Sequence, residues 1–379
     1  MNEPKRRYLD NAATSFPKAP GVVEAVNTFL TNVGVSAGRS GFREALAAES
    51  LLKGARHNLR KLFGCGPEDH VVFGLNGTDA LNTAIHGLLR PGDHVVTSAM
   101  EHNSVLRPLR TLVDAGRISL TIVEADPRST IVTPDEVRNA LRPDTRLVVM
   151  THASNVTGAL QPVAEVGALC REHNALMLLD AAQTAGHVPI DFGALPVDLI
   201  AAPGHKGLLG PLGTGVLVIR AGVEEQLAPL RQGGTGSLSE QPTQPRHLPD
   251  RLEAGSHNVP GVAGLAASSA WLLERGVSEI RAAEQHLAAL LIDRLEACAG
   301  LRWFGPRDER RVAVFSVVID GLEPAELSAI LEQRFGILTR SGLHCAPLAH
   351  RTIGTAASGG TTRISPGPFT TTEDIDAVG

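Results

Sequence analysis

The sequence predicts an α/β fold with a buried, mostly parallel sheet and a second, smaller domain. Through about the first 220 positions, apolar runs alternate with amphipathic stretches, as expected when parallel strands are buried under helices on both faces. The strand candidates are residues 71–73, 94–97, 120–123, 147–151, 176–179, 197–201 and 215–219. Between some of them lie helical patterns at residues 80–89, 134–140 and 163–173. This alternation favours an α/β sheet over a β-sandwich, with function at the carboxyl ends of the strands.

A polar, proline-bearing segment separates this region from the rest of the chain. It begins near Gln232 and extends to about His257, so we expect a functional loop there. The elements predicted beyond it are a helix at about 261–299, a strand at 312–319 and a helix at 324–335. We therefore predict a large domain of residues 15–258 and a small domain made of residues 1–14 and 259–379. The residues from Thr372 onward begin like a capped helix and stop after about two turns, so we expect either that the natural chain ends early or that this sequence is a shortened form of it.

The composition excludes several classes of protein. The 379 residues include 35 basic and 40 acidic side chains, a net charge of −5, with no basic block that could follow a nucleic acid backbone. No run of about 18 apolar residues predicts a membrane span, and the basic stretch at residues 5–7 is not followed by the apolar core of a secretion signal. The four cysteines form no CxxC pair and no metal-like spacing. We expect free thiols, no metal and a cytoplasmic location.

A lysine and an aspartate follow two of the predicted strands. Lys206 stands in Pro203-Gly204-His205-Lys206 after one apolar run, and Asp180 closes another. A lysine there can form a Schiff base and a carboxylate can hold a protonated pyridine nitrogen, the two groups that pyridoxal phosphate chemistry requires. A helix-capping aspartate and a solvated surface lysine are the alternatives. The glycines on both sides of the lysine favour close approach of another group, so we predict a pyridoxal phosphate site.

A third segment at a strand-to-helix junction suits the phosphate of that cofactor. Asn76-Gly77-Thr78-Asp79 offers unpaired backbone N–H groups, a glycine and a hydroxyl at the start of a helix, where an anion can bind. An ordinary helix cap is the alternative.

Seven short segments, taken together and in order, resemble one known family. They are residues 8–14, 101–103, 154–158, 180–183, 204–206, 251–256 and 340–345. The sequence resembles the class V aminotransferase group, specifically the NifS-like cysteine desulfurase and selenocysteine lyase branch with the short, group II form of the active-site cysteine segment. The resemblance implies the fold-type I architecture of pyridoxal phosphate-dependent transferases: a large domain with a mostly parallel seven-stranded sheet, plus a smaller α+β C-terminal domain.

The resemblance also implies roles around the cofactor ring. Lys206 would carry the cofactor and later move the α-proton of the substrate, while Asp180 would pair with the ring nitrogen. His102 would stack on the ring and exchange protons with the substrate. Gln183 and Asn155 would donate hydrogen bonds on the side of the ring oxygen.

Further roles concern the phosphate, and they involve a second subunit. Gly77, Thr78, Asp79 and His205 are implied to bind the phosphate within one chain. Ser256 is implied to reach the phosphate of the neighbouring subunit's cofactor, because members of the family share active sites across a two-fold dimer. A homodimer is therefore expected.

The substrate carboxylate is implied to bind arginine. Arg363 is the expected clamp, a task that suits the two-point donor geometry of guanidinium, with Arg340 nearby and Asn155 as a further contact. A surface ion pair is the alternative for either arginine alone.

Cys345 distinguishes between the possible reactions. The glycine-containing segment from Arg340 to Cys345 predicts a mobile loop with local positive charge, which favours a thiolate. The thiolate would attack the sulfur of L-cysteine, release L-alanine and hold the sulfur as a persulfide for an acceptor protein or a small thiol. A selenocysteine lyase or another pyridoxal phosphate-dependent C–S lyase is the alternative, and a non-catalytic partner protein that keeps the fold is a further one. The sequence does not distinguish sulfur from selenium substrates.

Two features depart from the common family pattern. Pro203 stands where many relatives have a serine, so one phosphate contact is missing. The stretch from Gly233 to Pro249 is longer than in the best-known sulfur-mobilising relatives, which leaves the identity of the sulfur acceptor open.

Overall fold

The computed structural model describes residues 4–38 and 41–378. The predicted small domain therefore includes residues 1–3 and 379 outside the described range, and the predicted large domain includes residues 39–40 outside it. The strands are β1 (Arg7–Tyr8), β2 (His70–Gly74), β3 (His94–Ser98), β4 (Ser119–Val123), β5 (Thr145–Thr151), β6 (Leu176–Asp180), β7 (Leu199–Pro203), β8 (Gly215–Ile219), β9 (Leu301–Trp303), β10 (Phe315–Ile319), β11 (Ile337–Leu338), β12 (Arg340–Gly342) and β13 (Thr361–Ile364). The helices are α1 (Val22–Thr28), α2 (Arg43–Leu62), α3 (Gly77–Leu88), α4 (Asn103–Asp114), α5 (Pro134–Ala140), α6 (Val163–Glu172), α7 (Val259–Arg275), α8 (Val277–Ala297), α9 (Pro324–Phe335), α10 (Pro347–Thr352) and α11 (Thr372–Asp376).

The large sheet in the described residues has seven strands in the order β2-β8-β7-β6-β5-β3-β4. Strand β8 runs antiparallel to both of its neighbours, and the other pairs in the sheet are parallel. All seven predicted strands are present. The predicted α/β class, with a mostly parallel seven-stranded sheet, is confirmed.

The apolar runs form central strands because both faces of the sheet are covered. Successive residues of β5 point to opposite sides: Val148 belongs to one buried cluster, whereas Leu147 and Val149 belong to the other. Helices lie on both faces, as parallel crossover connections require. The carboxyl ends of β5, β6 and β7 therefore lie side by side at one edge, where Thr151, Asp180 and Pro203 close their strands.

A second, antiparallel sheet is formed by the C-terminal part of the chain. Its strand order is β12-β13-β10-β9, and its core includes Phe315 and Ile337 packed with residues of α8 such as Leu291. The N-terminal strand β1 pairs in parallel with β11 in a separate two-stranded sheet, which brings the first described residues to the C-terminal part of the chain.

The long helix predicted after Pro260 is wrong, because the structure has two helices there. Gly276 separates α7 from α8 with a φ of 82°, a backbone conformation that glycine adopts without a steric penalty. Helix α7 packs on α1 and α2 and contributes Val262 and Leu265 to the core beneath the large sheet. The division into residues 15–258 and the remainder stays a prediction. It assigns α7 to the small domain, although α7 packs against the helices and core of the large-sheet region. Within the described residues, no helix combines the length and apolar character needed to cross a bilayer.

Candidate active site

A cavity of about 230 Å³ lies at the carboxyl ends of the large sheet and is closed on one side by the antiparallel sheet. Ten of the residues predicted for the site line it: Gly77, Thr78, His102, Asn155, Asp180, Gln183, His205, Lys206, Arg340 and Arg363. Three others, Asp79, Ser256 and Cys345, do not belong to this lining.

Lys206 follows β7 in a tight turn that glycines make possible. A Cβ on Gly207 would overlap the carbonyl of Ala185 and the ring of His187, and one on Gly204 would overlap the hydroxyl of Thr214. The chain can therefore carry the lysine into the cavity without spreading its neighbours. Burial lowers the pKa of Lys206 to about 8, although the nearby Asp180 carboxylate acts in the opposite direction. The neutral, nucleophilic fraction of the amine at neutral pH is therefore larger than for an ordinary lysine, whose pKa is about 10.4.

Asp180 ends β6 and is 4% exposed. Its Oδ1 accepts a 2.9 Å hydrogen bond from the backbone N–H of Ala182. Burial raises the pKa of Asp180, while that hydrogen bond and the Lys206 ammonium oppose the shift. A buried carboxylate in this setting is stabilised by a cationic partner.

His102 is the N-cap of α4, and its ring is held by a chain of hydroxyl groups. The backbone N–H of Ser104 donates to Nδ1 of His102 over 3.0 Å, so the neutral ring carries its proton on Nε2. The Ser104 hydroxyl lies 2.8 Å from the same nitrogen and 2.7 Å from Oγ1 of Thr78. Burial lowers the pKa of His102 to about 4, and the cations of Lys206 and Arg340 add to this effect. The ring is therefore neutral at physiological pH.

The amino end of α3 faces the cavity at Gly77 and Thr78. A Cβ on Gly77 would come within 3.1 Å of Cδ of Pro203, so the absence of a side chain lets the helix end approach the end of β7. The helix dipole and free N–H groups make this end suitable for an anion. Asp79 was predicted to contact the phosphate, but it stabilises the turn before α3. Its carboxylate accepts a hydrogen bond from the N–H of Leu75 and forms an ion pair with Arg231.

His205 contacts the N-terminal segment of the chain. Its Nδ1 lies 3.0 Å from Oγ1 of Thr14, and its carbonyl accepts a 3.0 Å hydrogen bond from Nζ of Lys18. Burial lowers the pKa of His205 to about 4, with Lys206 and Lys18 contributing in the same direction. The imidazole is therefore neutral and available as a hydrogen-bond partner.

Two amide side chains on the cavity wall are already oriented by the backbone. Gln183 donates through Nε2 to the carbonyl of Ala12 over 3.0 Å. Asn155 donates through Nδ2 to the carbonyl of His344 over 2.6 Å. Each amide has further hydrogen-bonding capacity for a ligand in the cavity.

The two predicted arginines lie directly opposite each other on β12 and β13. Arg363 is 1% exposed, and burial lowers the pKa of Arg363 while the carboxylate of Asp10 opposes the shift. Its guanidinium donates to Oδ1 of Asp10 over 2.7 Å and to the carbonyl of Asn155 over 3.1 Å. Like charges facing each other across a strand pair are unfavourable, so an anion that binds between them would be stabilised.

Cys345 is an exposed free thiol beside the cavity, next to the buried lining residue His344. Both residues have left-handed backbones, with φ of 48° for His344 and 59° for Cys345, a conformation uncommon outside glycine. Hydrogen bonds from the large-sheet region fix both carbonyls: Asn155 donates to that of His344 and the N–H of Asn103 to that of Cys345. Hydrogen bonds thus hold both residues in this structure, and the mobility of the loop stays a prediction.

Ser256 lies away from the cavity of its own chain. It is exposed and lines a separate depression with Leu75, Gly213 and Arg231. Glu253, three residues earlier, is buried and holds this segment by accepting hydrogen bonds from Arg56 and His257.

Sequence reasoning did not identify three residues that shape the site. Ser104 links His102 to Thr78, and its position two residues after a histidine at a helix start was the available signal. Asp10 pairs with Arg363. It lies in the segment 8–14, whose similarity to the family gave no role for this aspartate. Glu101 is fully buried and accepts hydrogen bonds from Ser98 and from the N–H of Thr151, which lines the cavity.

The fold and cavity define the class of the protein: an α/β enzyme with a lysine, a carboxylate and a helix amino end grouped at the carboxyl edge of its sheet. The family described as Aminotransferase class-V matches residues 7–378. The chain belongs to this family, as the sequence predicted.

Comparison with individual proteins narrows the relationship to the cysteine desulfurases. A probable cysteine desulfurase of Methanothermobacter thermautotrophicus is 34% identical over 376 residues, which cover 98% of this chain and 92% of the relative. The apo structure of the cysteine desulfurase from Thermococcus onnurineus NA1 superposes with a TM-score of 0.89 at 30% identity, covering 100% of this chain and 96% of that one. The S-sulfonic acid form of Escherichia coli cysteine desulfurase CsdA superposes with a TM-score of 0.85 at 28% identity, covering 98% of this chain and 92% of that one.

Proposed function

We propose that this protein is a pyridoxal phosphate-dependent cysteine desulfurase that converts L-cysteine to L-alanine and transfers the sulfur to Cys345. The observation that carries the proposal is the exposed thiol of Cys345, held beside a cavity that contains a buried lysine, a buried carboxylate and an arginine pair. The similarity to cysteine desulfurases over nearly the whole chain supports the same activity.

The residues present fit pyridoxal phosphate. Lys206 supplies an amine whose pKa is lowered to about 8, as attack on the cofactor aldehyde requires. Asp180 supplies a buried carboxylate that a pyridinium would compensate. Gly77, Thr78 and the amino end of α3 supply an anion site for the phosphate, and His102 supplies a neutral ring for stacking. When bound, the cofactor would provide an electron sink conjugated to the α-carbon of the substrate.

The side chains of the protein would then handle the substrate and its protons. Arg363, with Arg340 opposite, would hold the carboxylate. Lys206 would accept the α-proton through Nζ, and His102 would exchange a proton through Nε2, because its Nδ1 is occupied by the N–H of Ser104. Asn155 would orient the substrate while it fixes the His344 carbonyl.

Sulfur transfer would be completed by Cys345. Its thiolate attacks the sulfur atom of the substrate, so that an S–S bond forms while the Cβ–S bond breaks. The electron pair of the broken bond remains with Cβ, which takes up a proton and leaves as the methyl group of L-alanine. The protein retains a persulfide on Cys345, which an acceptor thiol or a reductant can remove. Because this chemistry needs a free thiol, it suits the reducing cytoplasm.

A homodimer would complete the phosphate site. The position of Ser256 outside its own cavity supports a contact with the cofactor of a second subunit. Leu75, in the same depression, and Leu212 beside it are 58% and 65% exposed, as expected of apolar side chains that a partner covers. Sedimentation of the holoprotein would show a dimer, and a monomer at assay concentrations would contradict this part of the proposal.

The experiment that tests the function is release of alanine and sulfide from L-cysteine in the presence of a reductant. Wild type is compared with Cys345→Ser and with Cys298→Ser, a control that removes a partly buried thiol elsewhere in the chain. Equimolar products that are lost only in Cys345→Ser are expected. Selenocysteine is assayed in parallel: turnover that survives in Cys345→Ser for selenium alone would indicate a lyase instead. Unchanged cysteine turnover in Cys345→Ser would contradict transfer through this thiol.

A further inference from the structure

Asp10 forms an ion pair with Arg363, which lines the cavity of the candidate active site. One oxygen of Asp10 accepts a 2.7 Å hydrogen bond from a terminal guanidinium nitrogen of Arg363. The side chain of Arg363 is 1% exposed and that of Asp10 is 18% exposed. The pair is therefore largely shielded from water. In such surroundings a charge–charge interaction is much stronger than at the protein surface.

Both residues stand on backbone that is fixed before any ligand binds. The segment of Asp10 runs beside the residues that follow β13: the N–H of Asn11 donates to the carbonyl of Ser365 over 3.1 Å, and the N–H of Ser365 donates to the carbonyl of Leu9 over 2.7 Å. Arg363 lies within β13. The fold thus fixes the backbone positions of both residues and keeps their side chains close together.

The guanidinium keeps hydrogen-bonding capacity on another side. Its two terminal nitrogens donate to Asp10 and to the carbonyl of Asn155, whereas Nε is buried without a hydrogen-bond partner among the described residues. A buried N–H left without an acceptor is costly. A carboxylate that binds at the Nε side would satisfy this group and make the two-point contact that guanidinium favours.

The charges around Arg363 determine how strongly that carboxylate is held. Arg340 faces Arg363 across β12 and β13, which favours an anion, while the carboxylate of Asp10 offsets part of the positive charge. Asp10 therefore competes electrostatically with a substrate carboxylate without occupying the Nε side.

We propose that Asp10 is a positioning residue that holds the guanidinium of Arg363 in place and weakens the binding of amino-acid carboxylates, so that the product leaves the site. The identity of the bound amino acid rests on the proposed function. The positioning role itself requires only that amino acids bind through Arg363.

Equilibrium binding of two ligands separates this role from a structural one. L-alanine carries an amine and a carboxylate, whereas ethylamine carries only the amine. Each is titrated into cofactor-loaded protein and followed by the visible absorption of the cofactor. Asp10→Asn keeps a neutral oxygen acceptor near Arg363 but removes the charge. Asp10→Ser is a second variant, in case the first folds poorly, and Asp320→Asn is the control, because it removes a carboxylate from an exposed ion pair with Arg302.

The expected result is specific to the carboxylate ligand. Asp10→Asn and Asp10→Ser should lower the dissociation constant of L-alanine about tenfold, a change equivalent to roughly 1.4 kcal/mol, and leave that of ethylamine unchanged. Asp320→Asn should match wild type for both ligands. The same dissociation constants in Asp10→Asn and wild type, weaker alanine binding in both Asp10 variants, or absence of alanine binding in wild type would overturn the proposal. If wild type binds alanine but does not form it from cysteine, the proposed function fails and this inference stands.

Discussion

The backbone N–H of Asn103 donates a 2.7 Å hydrogen bond to the carbonyl oxygen of Cys345. Asn103 is the first residue of α4, directly after His102, so its N–H has no acceptor within the helix. The carbonyl of Cys345 satisfies it. One contact thus links the helix that carries the histidine to the segment that carries the thiol, and fixes both relative to the cavity.

The pKa of Lys206 predicts how the apoprotein takes up its cofactor. Because burial lowers this pKa to about 8, and only the neutral amine is nucleophilic, the rate of cofactor uptake should rise with pH and level off above about pH 8. Stopped-flow absorption would measure it. Lys206→Ala should form no lasting visible band, and the surface control Lys53→Ala should match wild type. A rate that keeps rising well beyond pH 8 would contradict the lowered pKa.

Loss of the Ser104 hydroxyl should weaken the site through His102 and Thr78. Ser104→Ala removes contacts of 2.8 Å and 2.7 Å, so we expect a loss of about 1 kcal/mol in the free energy of unfolding and weaker cofactor binding. Urea unfolding of the apoprotein and cofactor titration would test this. Thr111→Ala is the control, because that hydroxyl, in the same helix, bonds only to the carbonyl of Arg107 among the described residues. Equal effects of both substitutions would argue against a specific role.

Glu101 makes stability depend on pH. Burial raises the pKa of Glu101 from 4.5 to about 8, so the folded state prefers the protonated form. Its contribution to the free energy of unfolding is fully present below about pH 4.5 and is lost as pH rises through about 8. Glu101→Gln should remove this dependence and be more stable than wild type above pH 8, by roughly a few kcal/mol.

The test of the Glu101 prediction is urea unfolding at a series of pH values, because the difference in stability between wild type and Glu101→Gln should be small at low pH and grow as pH rises through about 8. Glu49→Gln is the control, since Glu49 forms an exposed pair with Lys53 and should leave the profile unchanged. A parallel pH dependence in wild type and Glu101→Gln would show that Glu101 is ionised in the folded protein.

Arg363→Lys should raise the KM for L-cysteine more than it lowers kcat. Lysine keeps the charge but cannot make the two-point contact with a carboxylate, so we expect an increase in KM of about tenfold or more. Arg302→Lys, in an exposed pair with Asp320, is the matched control. An unchanged KM would show that Arg363 does not bind the substrate carboxylate.

Much of the architecture was predictable because strands that are buried on both faces of a sheet appear in the sequence as continuous apolar runs. The apolar runs at residues 147–151 and 176–179 became β5 and β6, with Asp180 at the predicted strand end. The break at Gly276 was missed because amphipathic periodicity continues across it, and a lone glycine within a helical pattern can be tolerated.

The contacts that orient the site could not be predicted, because they join residues far apart in sequence. Asp10 and Arg363 meet only because the N-terminal segment lies beside the residues that follow β13. The left-handed backbones of His344 and Cys345 depend on donors from Asn155 and Asn103. These two hydrogen bonds come from another part of the fold, so the sequence near the cysteine could not indicate them.

The most direct test of sulfur transfer to Cys345 is the mass of the tryptic peptide that contains this residue, after cofactor-loaded protein is mixed with L-cysteine without a reductant. Peptides are alkylated before analysis, and alanine is measured in the same sample. Sulfur transfer to Cys345 predicts the mass of one added sulfur atom on that residue, in proportion to the alanine formed in the first turnover, and no such addition at Cys65, Cys170 or Cys298. Alanine formed while Cys345 remains unmodified would contradict it.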